Sequence, residues 1–154
     1  MQVIGTWKGE YVVRLDDGRS HEVTVDLPVD EGGRSAGTSA LELAVLALAG
    51  CITTTFAMVA KRRRLSFEGM RITLEAERPP KAPTLTRVRG TLRLRTSAEP
   101  EEVDIALRLA TKICPVGVLF EQARVPVEVR PLLEPPRVRP GARPRGLPET
   151  NSPS

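Results

Sequence analysis

At 154 residues and a formal charge of +4, the chain has the length of one domain and enough apolar side chains for a core. Half of that charge falls after residue 131, where Arg137, Arg139, Arg143 and Arg145 face Glu134 and Glu149; the near-neutral remainder and the 3% aromatic content argue against a base-stacking nucleic-acid surface. Two cysteines 63 positions apart and a single histidine, His21, exclude a disulfide-rich scaffold and lack zinc-ligand spacing, so no metal site is expected.

The first 27 residues read as strands. Gln2 to Trp7 alternates, and Tyr11 to Leu15 and Glu22 to Leu27 flank Asp16-Asp17-Gly18-Arg19, a hairpin signal. The opening MQVIGTWKGE has no basic start followed by an apolar block, so an intracellular, cytoplasmic location is expected. Pro28 to Gly37 reads as a loop, with glycines at 32, 33 and 37.

The pattern predicts a long helix over Ser39 to Arg64. Ser39 suits the N-cap and Glu42 stands three places on, a capping box. The 18 residues from Leu43 to Ala60 carry no charge, so the helix should be buried, and Lys61 to Arg64 complement the dipole at its C-terminus. A run of that length also reaches the lower limit for crossing a bilayer. Its Ala, Gly and Thr content and the strands on either side favour a soluble domain, with no membrane partner.

Strands are expected over Met70 to Glu77 and Arg87 to Thr96, the second with Arg87, Arg89, Arg93 and Arg95 on one face, which reads as a solvated sheet face. A helix from Pro100 to Ile113 has Pro at N1 and acidic residues in its first turn. Pro115 interrupts it, Val116 to Gln122 forms a further helical piece, and Val125 to Arg130 closes the fold as a strand. Residues 132–154 read as a Pro/Arg-rich disordered tail behind a domain of residues 1–131.

Each cysteine has two readings. Cys51 shares a stripe with Leu41, Ala44, Leu48, Thr55 and Met58, where a free thiol is commonly a small buried hydrophobe. Cys114 precedes Pro115 and would cap a new helical turn, where N–H groups and the dipole lower a thiol pKa; the alternative is a buried residue at a helix break. On local physics Cys114 is the more acidic of the two. In a reducing compartment, a pair of cysteines that meets is more often catalytic or redox-sensing than structural.

Thr38-Ser39-Ala40-Leu41-Glu42-Leu43 through Leu48-Ala49-Gly50-Cys51 resembles the central helix of the OsmC/Ohr family, and Ile113-Cys114-Pro115-Val116 resembles its second cysteine motif. The order of elements over residues 1–131 matches as well. The resemblance implies an α+β fold, with antiparallel strands around a long buried central helix, in an intertwined homodimer whose active sites form near the subunit interface. It implies a thiol peroxidase for organic hydroperoxides. Cys51 would attack the O–O bond and become a sulfenic acid, and Cys114 would resolve it as a disulfide. No bound cofactor is implied; the reductant would be an external dithiol, a lipoylated protein or a small thiol. The family also pairs its reactive cysteine with an arginine and a glutamate. Glu42 matches the glutamate roughly, nine residues before Cys51, and Arg34 is the nearest substitute for the arginine. Each has a plainer reading, as a helix cap and as a solvated loop residue. Two other functions stay open: a non-catalytic ligand-binding or redox-sensing protein on the same fold, and an interaction protein acting through its Arg/Pro tail.

Overall fold

The structure, a computed structural model, describes residues 1–136. Strands β1 (Ile4–Gly9), β2 (Val12–Asp16) and β3 (Glu22–Val25) form an antiparallel sheet in that order. The hairpin between β2 and β3 turns at Gly18, whose φ of 72° is open to glycine at no steric cost. Asp17 fixes the turn, its Oδ1 accepting from the Arg19 N–H at 2.8 Å.

Helix α1 (Ala40–Arg63) follows a loop over residues 26–38. Its start is the expected capping box. Ser39 Oγ accepts the Glu42 N–H at 3.2 Å and Glu42 Oε2 accepts the Ser39 N–H at 2.8 Å. The second sheet contains β4 (Gly69–Glu77), β5 (Arg87–Arg95) and β6 (Val127–Glu134), with α2 (Pro100–Ile113) and α3 (Pro115–Gln122) between β5 and β6. The expected antiparallel pairing holds for every strand pair but one. β4 and β5 are antiparallel, but β6 returns parallel to β5, pairing Val88 with Val127 and Leu94 with Leu133. The crossover through α2 and α3 carries the chain back to the start of β5, so the last strand runs in the same direction.

The core lies between the helices and one face of this second sheet. Leu48, Ile52 and Phe56 of α1 meet Val88, Leu92 and Leu94 of β5 and Val103, Ala106 and Ala110 of α2. Gly90 faces inward among them; a Cβ there would collide with the Thr73 carbonyl of β4. On the outer face, the arginines of β5 are paired: Arg87 with Glu128, Arg89 with Glu77, and Arg93 and Arg95 with Glu134.

Helix α1 is long and apolar enough to cross a membrane, yet Leu48, Ile52, Thr55, Phe56, Val59 and Ala60 line the core. The helix is a core helix as expected, and its burial is one-sided. Leu46 is 57% and Met58 47% exposed, and Gly50 and Thr54 lie exposed between them at four-residue spacing. The first sheet makes almost no contact with the helices or the second sheet, and its Ile4, Trp7 and Tyr11 are exposed. The expected tail boundary also moves: residues 132–134 belong to β6, and residues 137–154 lie outside the described residues.

Candidate active site

The two cysteines come together from two helices. Cys51 stands near the middle of α1, partly exposed and packed against the core. Cys114 is fully buried between α2 and α3. It closes α2 as C-cap and opens α3 as N-cap, with Pro115 at N1, so the break in the sequence pattern is the feature that turns its side chain inward. Its Sγ accepts the Gly117 N–H at 3.3 Å, and it lies close enough to Cys51 for the two thiols to influence each other.

The cap geometry is as the sequence predicts, but the acidity is reversed. Burial pushes the Cys114 thiol up to about 11, and the nearby Cys51 thiol adds to the rise. The N–H groups of Gly117 and Val116 oppose it without prevailing. Magnitudes explain the order. A helix terminus is worth about 0.3–1 kcal/mol, less than one pKa unit, whereas full desolvation shifts a group by up to several units. Cys114 is therefore a protonated thiol at neutral pH, leaving Cys51 as the thiol with access to solvent.

Glu42 sits in the first turn of α1, nine residues from Cys51, or about 13 Å along the helix axis. Its carboxylate is engaged at the cap, accepting from the Ser39 N–H and Oγ at 2.8 Å and from Thr38 Oγ1 at 3.2 Å. Those bonds, the Ser39 N–H foremost, hold its pKa below the ordinary value. Arg34 projects from the 26–38 loop, where its Nε pairs with Glu10 Oε2 at 3.1 Å. Among the described residues, no hydrogen bond or ion pair joins Glu42 or Arg34 to either cysteine within this one chain.

The residue that shapes the Arg34 loop is one that sequence reasoning missed. Asp26, buried at the end of β3, accepts N–H bonds from Leu27 at 2.8 Å, Ala36 at 3.0 Å and Arg34 at 3.1 Å. The Ala36 N–H is the main cause that holds its carboxyl below the usual range. Gly33 and Gly37 let the loop close, since a Cβ on either would strike the backbone of Leu27 or Thr24. Asp26 stands six residues before the first glycine of this loop, a position that carries no distinguishing signal in the sequence. Between the loop, the start of α1 and the end of β4 lies a groove of about 720 Å³, lined by Leu27, Leu41, Glu42, Val45, Ala76 and Leu85.

The OsmC-like protein family model matches residues 31–130, which takes in both cysteines, the capping box, β4, β5 and the first half of β6. The chain belongs to the OsmC-like family. No curated protein matches it. Solved OsmC-like structures share its fold at low identity. An OsmC-like protein from Mycoplasma pneumoniae superposes with a TM-score of 0.76 at 13% identity, covering 86% of this chain and 95% of that one. An organic hydroperoxide resistance protein OsmC from Legionella pneumophila gives 0.68 at 21% identity, covering 86% and 97%. An organic hydroperoxide resistance protein from Elizabethkingia anophelis gives 0.70 at 15%, covering 87% and 97%. At such identities the likeness establishes the OsmC-like α+β fold and no more.

Proposed function

We propose that this OsmC-like protein is a cytoplasmic thiol peroxidase that reduces organic hydroperoxides through Cys51 and Cys114. The observation that carries the reading is the meeting of the two thiols, one reachable from solvent and one enclosed beside it. Cys51 attacks the distal oxygen of the peroxide, the O–O bond breaks, and the alcohol leaves once its oxygen has taken a proton. Cys51 is then a sulfenic acid. Cys114 displaces its hydroxyl as water, giving the disulfide. A dithiol, free or carried as a lipoyl group, returns the pair to thiols; no bound cofactor takes part.

The same reading makes the protein a homodimer. The support is the apolar surface that one chain leaves uncovered: the first sheet with Ile4, Trp7 and Tyr11, and the α1 stripe with Leu46 and Met58. In that assembly the first sheet and its loop pack on the partner, and Arg34 and Glu42 serve the cysteine across the interface. Arg34 has only an exposed ion pair to give up, a contact worth about 0–1 kcal/mol.

The test is covalent. One equivalent of cumene hydroperoxide is expected to convert the protein to a Cys51–Cys114 disulfide, seen by mass spectrometry of non-reduced peptides. Two thiols left intact after excess peroxide would reject the peroxidase. They would favour the alternative in which the groove beside α1 holds a small apolar ligand, a reading that the groove's Leu27, Leu41, Val45 and Leu85 lining supports.

A further inference from the structure

The two sulfurs differ in how far their own chain encloses them. Cys114 has no exposed surface, and it is its own chain that covers it: α2 on one side, the first turn of α3 on the other. Gly117 packs directly against it, since even a Cβ at that position would lie 3.5 Å from the Cys114 Sγ. Cys51 keeps part of its surface open on α1. A thiolate attacks a disulfide in line, along the extension of the S–S bond. Cys114, with no exposed surface, offers such an attack no path unless the chain opens locally. Cys51, partly exposed, offers one.

We propose that the reductant attacks the Cys51 sulfur and that Cys114 is always the leaving thiol. This rests on the proposed Cys51–Cys114 disulfide and assigns its reduction to one sulfur. The electrons balance in two steps. The reductant thiolate forms a bond to Cys51 Sγ, the Cys51–Cys114 bond breaks, and its electron pair goes to Cys114 Sγ. That sulfur takes up the proton that the reductant thiol gave up on ionising, and it accepts the Gly117 N–H as it does at 3.3 Å in this structure. The second thiolate of the dithiol then attacks the reductant's own sulfur, closing its disulfide and releasing Cys51 as a thiolate. A reductant with only one thiol leaves a mixed disulfide on Cys51 with the Cys114 thiol beside it, poised to expel it again.

One effect runs the other way. A thiol of raised pKa is the poorer leaving group, which slows the departure of Cys114. Access outweighs it, because a buried sulfur reacts only in the small fraction of molecules that open locally.

The experiment separates this inference from the peroxidase reading by making the disulfide without peroxide. The full-length protein is oxidised with diamide, exposed briefly to 2-mercaptoethanol, quenched in acid, alkylated with N-ethylmaleimide and mapped. The expected product carries mercaptoethanol on Cys51 and N-ethylmaleimide on Cys114. Mercaptoethanol on Cys114, or on both in similar amounts, overturns the inference. Failure of diamide to form the disulfide overturns it together with the peroxidase. A diamide disulfide opened at Cys51, in a protein that peroxide leaves untouched, supports the inference and rejects the peroxidase. A second measurement does not need the disulfide. Cys114 in Cys51→Ala should react with Ellman's reagent on the order of a hundredfold more slowly than Cys51 in Cys114→Ala, and the gap should close in urea. Equal rates in the native proteins overturn the proposal.

Discussion

At the scale of single residues, burial decides more than sequence position does. Cys114 occupies the helix-capping position that its Pro115 neighbour announces, yet its environment reverses the acidity that position implies. A sequence shows the cap, but the burial comes from how α2, α3 and the core pack around it, which no local pattern states. Asp26 teaches the same lesson. As one acid among 19 acidic residues it has no special spacing, and only the fold gathers three N–H groups onto it. Its lowered pKa gives the sign of a pH effect. The carboxylate stabilises the loop fully above the ordinary aspartate pKa, about 4, and the contribution is lost as pH falls through the lower folded value. Amide protection factors at Arg34 and Ala36 should therefore hold at pH 6 and fall towards pH 2. In Asp26→Ala they should already be low at pH 6. Unchanged protection in that variant would show that the loop does not depend on Asp26.

At the scale of elements, the capping box and the helix breaks were readable because their physics is local. Ser39 and Glu42 reach each other within one turn. Ser39→Ala should lower stability by about 1 kcal/mol in urea unfolding, and Ser39→Asp should restore most of it. The direction of β6 was not readable. Strand alternation fixes which face a residue takes but not which way its neighbour runs. Pairing with β5 depends on where α2 and α3 deliver the chain. Gly90 makes the closeness of β4 and β5 testable: Gly90→Ala should cost about 1–3 kcal/mol, because its Cβ meets the Thr73 carbonyl and the strands must shift. A neutral result would mean the pair relaxes freely.

At the scale of the whole molecule, the apolar run of α1 had three possible destinations: a membrane, a core, or a core shared with another chain. The fold buries one side of the helix and leaves Leu46, Gly50, Thr54 and Met58 uncovered, while the first sheet stands apart from the rest. One chain thus uses only part of the apolar surface it encodes, and the proposed dimer uses the remainder. Sedimentation of the wild type should give a dimer, and Leu46→Glu should shift it towards monomer, since a charge would be desolvated at the interface. A wild type that sediments as a monomer at micromolar concentration would contradict this arrangement. It would also leave Arg34 on its Glu10 partner with no route to a cysteine.

The most direct test of the central claim is steady-state reduction of cumene hydroperoxide with dihydrolipoamide by the wild type, Cys51→Ser and Cys114→Ser. Turnover is predicted in the wild type alone. Cys51→Ser should be silent, and Cys114→Ser should stop after one equivalent with sulfenic acid on Cys51. Turnover that survives Cys51→Ser would contradict the account.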